Sequence, residues 1–280
     1  MYNKIMFKRV YIEITNQCNL NCTFCKKNSR NIYYMNKKEF VHILDQIKDY
    51  TRYIYLHVQG EPLMHPLLEE FINIAKEKYF NIQIVTNGSL IDKCNFLLEG
   101  NVRKISISLH SISYQSIDID KYYDNIIKFS RQASELNKTY IELRFNNEDI
   151  MDNKTKFLLN KLESNFDFKI TSKDKSYKIM NNVFVAFNNI FEWPSLSNDF
   201  VSDKGYCLGG INMLAILSNG LVSICCLDSE GDINLGNIYT NNLKEILESD
   251  KYLNIINGFK NRKVIEPLCK HCTYRLIFNK

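Results

Sequence analysis

Residues 10–25 read VYIEITNQCNLNCTFC, and this stretch decides how the rest of the chain is interpreted. Its first half alternates apolar and polar side chains, which is the period of a β-strand. Its second half breaks that pattern and supplies Cys18, Cys22 and Cys25 at a CxxxCxxC spacing. Three thiolates can hold three irons of a cubane iron–sulfur cluster and leave the fourth iron without a protein ligand. An open metal position is where a small molecule can bind and react.

The CxxxCxxC spacing after a first strand, with Phe24 just before the last cysteine, resembles the radical S-adenosylmethionine (SAM) enzymes. The resemblance implies a 4Fe–4S cluster on Cys18, Cys22 and Cys25, with SAM chelated at the open iron and Phe24 beside the cofactor. It also implies reductive cleavage of SAM to methionine and a 5′-deoxyadenosyl radical, which abstracts a hydrogen from the substrate. A flavodoxin or ferredoxin-type protein is the implied electron donor.

Two other uses of the cysteines explain this stretch less well. A disulfide framework needs an oxidising compartment and usually an even cysteine count, whereas the chain has nine cysteines and opens without the apolar run of a signal peptide. A structural zinc site prefers paired CxxC motifs and needs a fourth ligand. We therefore expect a cytoplasmic protein whose thiols are reduced and mostly bound to metal.

The composition bounds the remaining function classes. The 280 residues are 45% hydrophobic and 12% aromatic, which is ample material for a core. No apolar run approaches the ~18 residues of a membrane span. The net charge of +5 comes from lysines spread along the chain, so the sequence argues for neither a membrane nor a nucleic-acid partner.

Beyond the cysteine loop the pattern alternates between amphipathic helices and short apolar strands. Further strands are expected at residues 53–58, 82–85, 104–110, 140–145 and 168–171. Such alternation predicts βαβ units and a parallel sheet. Six units are fewer than the eight of a closed barrel. The predicted fold class is therefore α/β, a partial (β/α)6 TIM-like barrel with a small C-terminal α+β domain.

Residues at the carboxyl ends of the second and third strands are candidates for SAM contacts, because the functional loops of parallel sheets lie there. Gly60, Glu61 and Pro62 resemble the family segment that meets the SAM amino group, and otherwise form an ordinary turn. Thr86 and Asn87 resemble a segment that lines the SAM pocket, although they also suit a plain turn.

The fourth and fifth strands add three more candidates. By resemblance, Ser108 and His110 lie near the SAM ribose, whereas hydroxyls satisfied inside a barrel are the alternative. Arg144 ends the fifth strand, where a guanidinium can clamp the SAM carboxylate or an anionic substrate, or form a surface ion pair. The sequence identifies no catalytic residue, and its candidates are Arg144, His110 and Cys226.

Cysteines return in the last third of the chain. Ser-Asn-Gly between two apolar runs predicts a β-hairpin. Cys207 precedes this hairpin, Cys225 follows it, and Cys269 and Cys272 form a CxxC near the end. Four thiolates with no open position describe a closed cluster or a zinc site.

The spacing C-x12-G-x4-C from residue 207, followed by a CxxC, resembles the auxiliary-cluster domains called SPASM and twitch. The longer SPASM pattern continues with further cysteines, whereas only eight residues follow Cys272 here, so the resemblance is to the single-cluster twitch form. The implied ligands of an auxiliary 4Fe–4S cluster are Cys207, Cys225, Cys269 and Cys272. Cys226 is then a spare thiol or a hydrogen donor to a substrate radical.

These observations predict three regions. Residues 1–175 form the radical SAM partial barrel, residues 176–206 connect it, and residues 207–280 form the twitch/SPASM-like domain. The short twitch form is similar to that of radical SAM dehydrogenases acting on aminocyclitols. That resemblance implies an oxidoreductase that abstracts a hydrogen from a carbinol carbon of a small polar substrate of the sugar or cyclitol type. Loss of a proton and an electron then gives a ketone, with help from the auxiliary cluster.

Two other functions remain open. One is maturation of a ribosomal peptide by epimerisation, thioether formation or cross-linking, although we expect no separate peptide-recognition module before Cys18 or after the twitch domain. The other is a non-enzymatic electron carrier with two clusters, which would have no use for the Gly60-Glu61-Pro62 segment.

Overall fold

The computed structural model describes residues 6–27, 29–146, 152–166, 168–169, 176–189 and 191–278. Its strands are β1 (Arg9–Ile12), β2 (Tyr53–Tyr55), β3 (Asn81–Thr86), β4 (Val102–Ser108), β5 (Tyr140–Asn146), β6 (Ser176–Met180), β7 (Val183–Asn188), β8 (Met213–Ile216) and β9 (Val222–Ser223). Its α-helices are α1 (Lys37–Ile47), α2 (Leu68–Glu77), α3 (Phe96–Glu99), α4 (Ile119–Leu136), α5 (Asn153–Phe166), α6 (Leu243–Glu248), α7 (Asp250–Lys260) and α8 (Pro267–Lys270).

These strands form one sheet in the order β6-β7-β5-β4-β3-β2-β1-β8-β9. The strands from β1 to β5 pair in parallel with their neighbours, and β7 pairs in parallel with β5. Parallel neighbours need crossover connections, and the helices α1, α2, α4 and α5 lie in them. The predicted fold class, an α/β fold built on a partial TIM-like barrel of parallel strands, is confirmed.

Helices cover one face of this sheet. Asn36 caps α1 with a capping box to Glu39, which fixes where the helix starts. The apolar stripes of α1 and α2 meet through Phe40 and Phe71, whose rings stack at 4.2 Å. Because side chains alternate along a strand, residues such as Val10 point to these helices and are fully buried.

The opposite face of the sheet lines the inside of the barrel, and we call it the interior face. Its side chains are largely polar, which suits binding better than core packing. They include Arg9, Tyr11, Glu13, Tyr55, Lys104, Ser106, Glu142 and Arg144.

The C-terminal hairpin extends the same sheet. β8 pairs in parallel with β1, with Arg9 opposite Met213, and β9 returns antiparallel beside β8. The turn between them requires Gly220, which has a φ of +84° and approaches the Tyr239 ring so closely that a Cβ would lie 2.4 Å from it. The part of the chain that carries Cys225 is therefore hydrogen-bonded into the barrel.

Some element boundaries differ from those predicted. The strand predicted at 168–171 lies partly outside the described residues, and residues 168–169 are not in a strand. The sixth parallel strand is β7 instead, inside the segment predicted to be a connector, so the barrel sheet continues past residue 175. No helix among the described residues is long and apolar enough to cross a membrane.

Candidate functional site

The loop after β1 brings Cys18, Cys22 and Cys25 together. The Cys18 sulfur accepts a hydrogen bond from the backbone N–H of Leu20 at 3.4 Å, and the Cys25 thiol donates to Gln59 Oε1 at 3.5 Å. Such contacts orient the sulfurs, and N–H donors to a sulfur also tune a cluster held there.

The chemistry of these three thiols suits a positively charged metal group. Burial first, and then neighbouring cysteines, raise the pKa of the Cys22 thiol to about 12 and that of Cys25 to about 11. Burial also raises the pKa of Cys18. A thiolate is stable there only with a compensating cation, which bound iron provides. No group of three His, Cys, Asp or Glu side chains among the described residues is arranged to hold a single metal ion.

The Gly60-Glu61-Pro62 segment lies directly against the cysteine loop. Gly60 has a φ of +78°, and a Cβ on it would lie 2.4 Å from the carbonyl oxygen of Thr15. The backbone N–H of Glu61 donates to the carbonyl of Gln17 at 2.8 Å. Glycine is therefore required for the contact between the two loops, whatever else this segment binds.

The carboxylate of Glu61 points away from open space. It is 2% exposed and accepts hydrogen bonds from Leu63 N at 3.0 Å, from Thr86 Oγ1 at 2.8 Å and from Asn87 N at 2.7 Å. Burial nevertheless raises the pKa of this carboxyl to about 7. Glu61 thus ties the loop after β2 to the loop after β3, and the backbone of its segment is what faces the cysteines.

Asn87 is the second support of this loop system. Its side-chain amide donates to Asn19 Oδ1 at 2.9 Å and to the Cys18 sulfur at 3.9 Å. Its backbone carbonyl accepts from Ser111 Oγ at 3.1 Å and from Tyr122 Oη at 2.7 Å. Two of the residues predicted to line a SAM pocket, Thr86 and Asn87, are therefore built into the support of the cysteine loop.

An aromatic contact joins the cysteine loop to the fourth strand. The Phe24 ring packs edge-on to His110 with a centroid distance of 4.9 Å. His110 Nδ1 lies 3.3 Å from the carbonyl oxygen of Arg144, and burial and the Arg144 charge lower the pKa of His110 to about 4. Ser108 ends β4 opposite Arg144. The structure therefore gathers Phe24, Ser108, His110 and Arg144 near the loop.

All four cysteines of the second set line one cavity. Cys207, Cys225, Cys269 and Cys272 share it with apolar side chains such as Ile224. The Cys207 and Cys225 sulfurs each accept a backbone N–H at 3.4 Å, from Gly209 and Leu227. Four converging thiols in an apolar cavity fit a closed, thiolate-ligated cluster.

The same cavity contains a cation that sequence reasoning missed. Arg275 is 1% exposed and donates to the carbonyls of Cys269 at 2.8 Å, Lys204 at 3.0 Å and Ser202 at 2.6 Å. Its charge offsets that of nearby thiolates. Only its position three residues after the CxxC hinted at this role.

Cys226 does not line that cavity. Its thiol packs with the interior-face cluster around Tyr11 and lies within hydrogen-bonding reach of the Tyr11 hydroxyl. It is therefore the cysteine that connects the second cysteine set to the barrel interior.

A buried ion pair, also missed from the sequence, joins the two cysteine sites. Glu13 is fully buried and accepts a hydrogen bond from each of the two terminal nitrogens of the Arg30 guanidinium, at 2.7 and 2.8 Å. It also accepts the backbone N–H of Gln59 at 3.2 Å and of Ser218, in the hairpin turn, at 2.9 Å. Arg30 further donates to the Ser229 carbonyl at 2.9 Å. One carboxylate thus holds the cysteine loop, β2 and the C-terminal hairpin together.

Family models match both cysteine regions. Residues 12–144 match the radical SAM superfamily, and residues 207–273 match SPASM, an iron–sulfur cluster-binding domain.

Individual relatives share the whole architecture at low identity. The chain is 23% identical over 305 residues to GTP 3′,8-cyclase of Aquifex aeolicus, covering 92% of this chain and 95% of that protein. The structure of BtrN in complex with AdoMet and 2-DOIA matches with a TM-score of 0.62 at 18% identity, covering 96% of this chain and 93% of BtrN. Streptococcus suis SuiB bound to its precursor peptide SuiA matches with a TM-score of 0.60 at 18% identity, covering 99% of this chain and 74% of SuiB. These structural likenesses establish the fold.

Proposed function

The chain belongs to the radical SAM enzymes and carries an iron–sulfur cluster-binding SPASM domain, and on that premise we propose a dehydrogenase-type oxidoreductase acting on a small polar substrate. Its cofactors are a 4Fe–4S cluster with SAM and an auxiliary iron–sulfur cluster. We assign the first to Cys18, Cys22 and Cys25. The second we assign to Cys207, Cys225, Cys269 and Cys272.

The cavity lined by four thiols carries this proposal. A cluster held by all four thiolates would have no open coordination position for substrate. It could then take part only by transferring single electrons, as an electron acceptor does. Oxidation of a carbinol to a ketone after hydrogen abstraction releases one proton and one electron, so it needs such an acceptor. The hydrogen-bonded pairing of β8 with β1 supports a fixed position of this site beside the barrel.

The interior face supports a polar substrate. Glu142 accepts from Lys104 Nζ at 2.6 Å and from Ser106 Oγ at 2.7 Å, which presents charged and hydroxyl groups inside the barrel. Sugar or cyclitol hydroxyls can exchange hydrogen bonds with such groups. In this proposal these residues bind and orient the substrate, while the loops above them exclude water.

Modification of a peptide is the second candidate. The likeness to SuiB bound to its precursor peptide favours it, since the same fold accommodates a peptide in that protein. The two candidates differ in the substrate that is consumed and not in the cofactors, so cofactor content cannot separate them.

The first test is iron and sulfide content after anaerobic reconstitution. Wild type should hold about eight irons per chain. Replacing the three cysteines of the first set by alanine should leave about four, and replacing the four of the second set should also leave about four. Cys94→Ala is the matched control, because Cys94 is buried in the helix-side core and should leave the iron content unchanged. About four irons and one zinc in wild type would remove the electron-acceptor role and the dehydrogenase proposal with it.

The second test uses the reconstituted enzyme with SAM and dithionite. Formation of 5′-deoxyadenosine separates the enzyme from a mere electron carrier. A panel of aminocyclitols and sugars should then yield a product that lacks two hydrogens, detected by mass spectrometry. Product formed only from peptides would replace the proposal with its alternative.

A further inference from the structure

The charges on the interior face do not balance. Glu142 is occupied by Lys104 at 2.6 Å, and Glu13 is occupied by Arg30 at 2.7 Å. Arg9 is held by aromatic neighbours, with its guanidinium carbon 5.5 Å from the Tyr55 ring centroid and 3.4 Å between its NH1 nitrogen and the Tyr55 hydroxyl. Both of these interior-face carboxylates are thus already paired.

Among the described residues, Arg144 is left without a paired anion. Its guanidinium makes no ion pair and no side-chain hydrogen bond with the described residues, and its Nε is buried without a partner. Glu142 is near enough to influence it, but burial still lowers the pKa of Arg144. A buried guanidinium is costly unless an anion compensates it, and its planar donors match the two oxygens of a carboxylate or phosphate.

A second buried polar group without a partner lies within electrostatic range of Arg144. His57 Nδ1 is buried without a partner among the described residues, and burial together with the Arg144 charge lowers the pKa of His57 to about 3. The His57 ring meets Tyr11 edge-on with a centroid distance of 5.5 Å, and Arg144 also lies in the field of Tyr11. Groups on β5, just after β2 and on β1 therefore lie within electrostatic range of one another inside the barrel.

We propose that Arg144 and His57 form a subsite for an anionic group, a carboxylate or phosphate, carried by the substrate of this enzyme. Arg144 would bind two oxygens, and a neutral His57 would donate from Nδ1 in one tautomer. The inference rests on the proposed function for the existence of a substrate, and it narrows the class to polar molecules that bear an acidic group.

The place of this subsite fits a substrate in reach of both cysteine sites. On one side, Arg144 connects through His110 to Phe24 in the first cysteine loop. On the other side, Tyr11 lies beside Cys226. A substrate anchored here by its anion would lie between the two.

SAM also carries a carboxylate, so the test must separate the two sources of an anion. Arg144 and the interior-face groups Tyr11, His57 and Glu142 influence one another electrostatically. This position inside the barrel favours an anion of the substrate over the carboxylate of SAM. The measurement is isothermal titration calorimetry of the anaerobic, reconstituted enzyme, first with SAM and then, at saturating SAM, with inorganic phosphate and with acetate. The variants are Arg144→Gln and Arg144→Lys, with Arg103→Gln as control, because Arg103 is an exposed arginine on β4 and its replacement removes the same charge.

Wild type and Arg103→Gln should bind phosphate or acetate with SAM present, and whichever binds more tightly identifies the acidic group. Arg144→Gln should weaken that binding at least about tenfold, and Arg144→Lys should recover part of it because the charge returns without the paired donors. SAM affinity in Arg144→Gln should change less than about threefold, which is under the tenfold expected for loss of a buried charged contact.

Three results would overturn the proposal. SAM affinity that falls at least about tenfold in Arg144→Gln would assign Arg144 to the SAM carboxylate. Anion binding that is absent in wild type, or equal in wild type and Arg144→Gln, would show that the guanidinium is not a receptor. If Arg144→Gln fails to hold iron, the comparison of wild type with Arg144→Lys decides, and equal anion affinity refutes the proposal. Failure of the enzyme to form 5′-deoxyadenosine would instead count against the proposed function alone, since anion binding does not depend on it.

Discussion

Replacing Glu13 by glutamine should destabilise the protein far more than replacing an exposed carboxylate at the same ion-pair distance. Glu13 is fully buried and accepts two hydrogen bonds from Arg30 and one each from the backbone N–H groups of Gln59 and Ser218. A glutamine amide can accept from two of these donors, but it faces the others with its own N–H groups. It also leaves the Arg30 guanidinium without a counter-ion.

The magnitude follows from burial and not from distance. Removing one partner of a buried ion pair typically costs about 3–5 kcal/mol. Asp45 binds Lys78 at 2.6 Å, but these side chains are 45% and 31% exposed. Such a solvated pair contributes about 0–1 kcal/mol. At roughly 2–4 °C per kcal/mol for a chain of this size, Glu13→Gln should lower the melting temperature by about 6–20 °C, and Asp45→Asn by at most about 4 °C.

The assay is anaerobic thermal unfolding of the reconstituted protein, followed by circular dichroism, for both variants. A double variant, Glu13→Gln with Arg30→Met, should recover part of the loss because it removes the unpaired charge as well. Hydrogen exchange should also accelerate at the amides of Gln59 and Ser218, which lose their acceptor. Equal melting temperatures for Glu13→Gln and Asp45→Asn would refute the argument that this buried carboxylate holds the two regions together.

Three further predictions concern single positions. Burial lowers the pKa of His65 from 6.5 to about 4, so the stability it contributes is present above pH 6.5 and is lost as the pH falls toward 4. Between pH 7.5 and 5.5 the free energy of unfolding of wild type should fall by about 1.3 kcal/mol more than that of His65→Asn. Equal changes for the two proteins in urea denaturation at the two pH values would contradict this. Gly60→Ala should destabilise the cysteine loop by about 2 kcal/mol or more because its Cβ would lie 2.4 Å from the Thr15 carbonyl oxygen, and iron content that stays at the wild-type value would count against it. Cys94 is 5% exposed and burial raises the pKa of its thiol to about 12, so iodoacetamide should label it only after unfolding, as peptide mass mapping can check.

Local sequence patterns predicted the parts of the site that depend on local spacing. The CxxxCxxC loop follows a strand because strand alternation ends where the cysteines begin, and the Asn-Gly turn places Cys225 at the end of a hairpin. The apolar spacing over residues 240–259 is that of one continuous helix, whereas Ser249 ends α6 and caps α7 and so divides the segment into two helices. Serine is a good N-cap, so the sequence does contain a signal for this break, but the apolar spacing on both sides is also that of one continuous helix.

Contacts between distant residues were not predictable in the same way. Glu13 and Ser218 are 205 residues apart, and nothing in either neighbourhood marks them as partners. Glu61 belongs to the segment expected to meet SAM. Its carboxylate accepts hydrogen bonds from Thr86 and Asn87, because the parallel sheet brings the two loops to one edge. A pattern within one segment shows which functional groups the segment carries, whereas the pairing of strands determines which other groups they contact.

The pairing of β1 with β8 also fixes how the two cysteine sites are placed along the barrel interior. Cys18 follows the carboxyl end of β1, while the register that places Met213 opposite Arg9 returns β9 toward the amino end, so that Cys225 comes near the level of Arg9. At about 3.3 Å per residue, the three steps from Arg9 to Ile12 put roughly 10 Å between the two ends of β1. Tyr11 lies within that interval on the interior face, beside Cys226 and in the field of Arg144. In the proposed reaction, a small substrate held by Arg144 would lie between the first cysteine site at one end of the strand and the second cysteine site at the other. The proposed oxidation, in two one-electron steps, would need such a position.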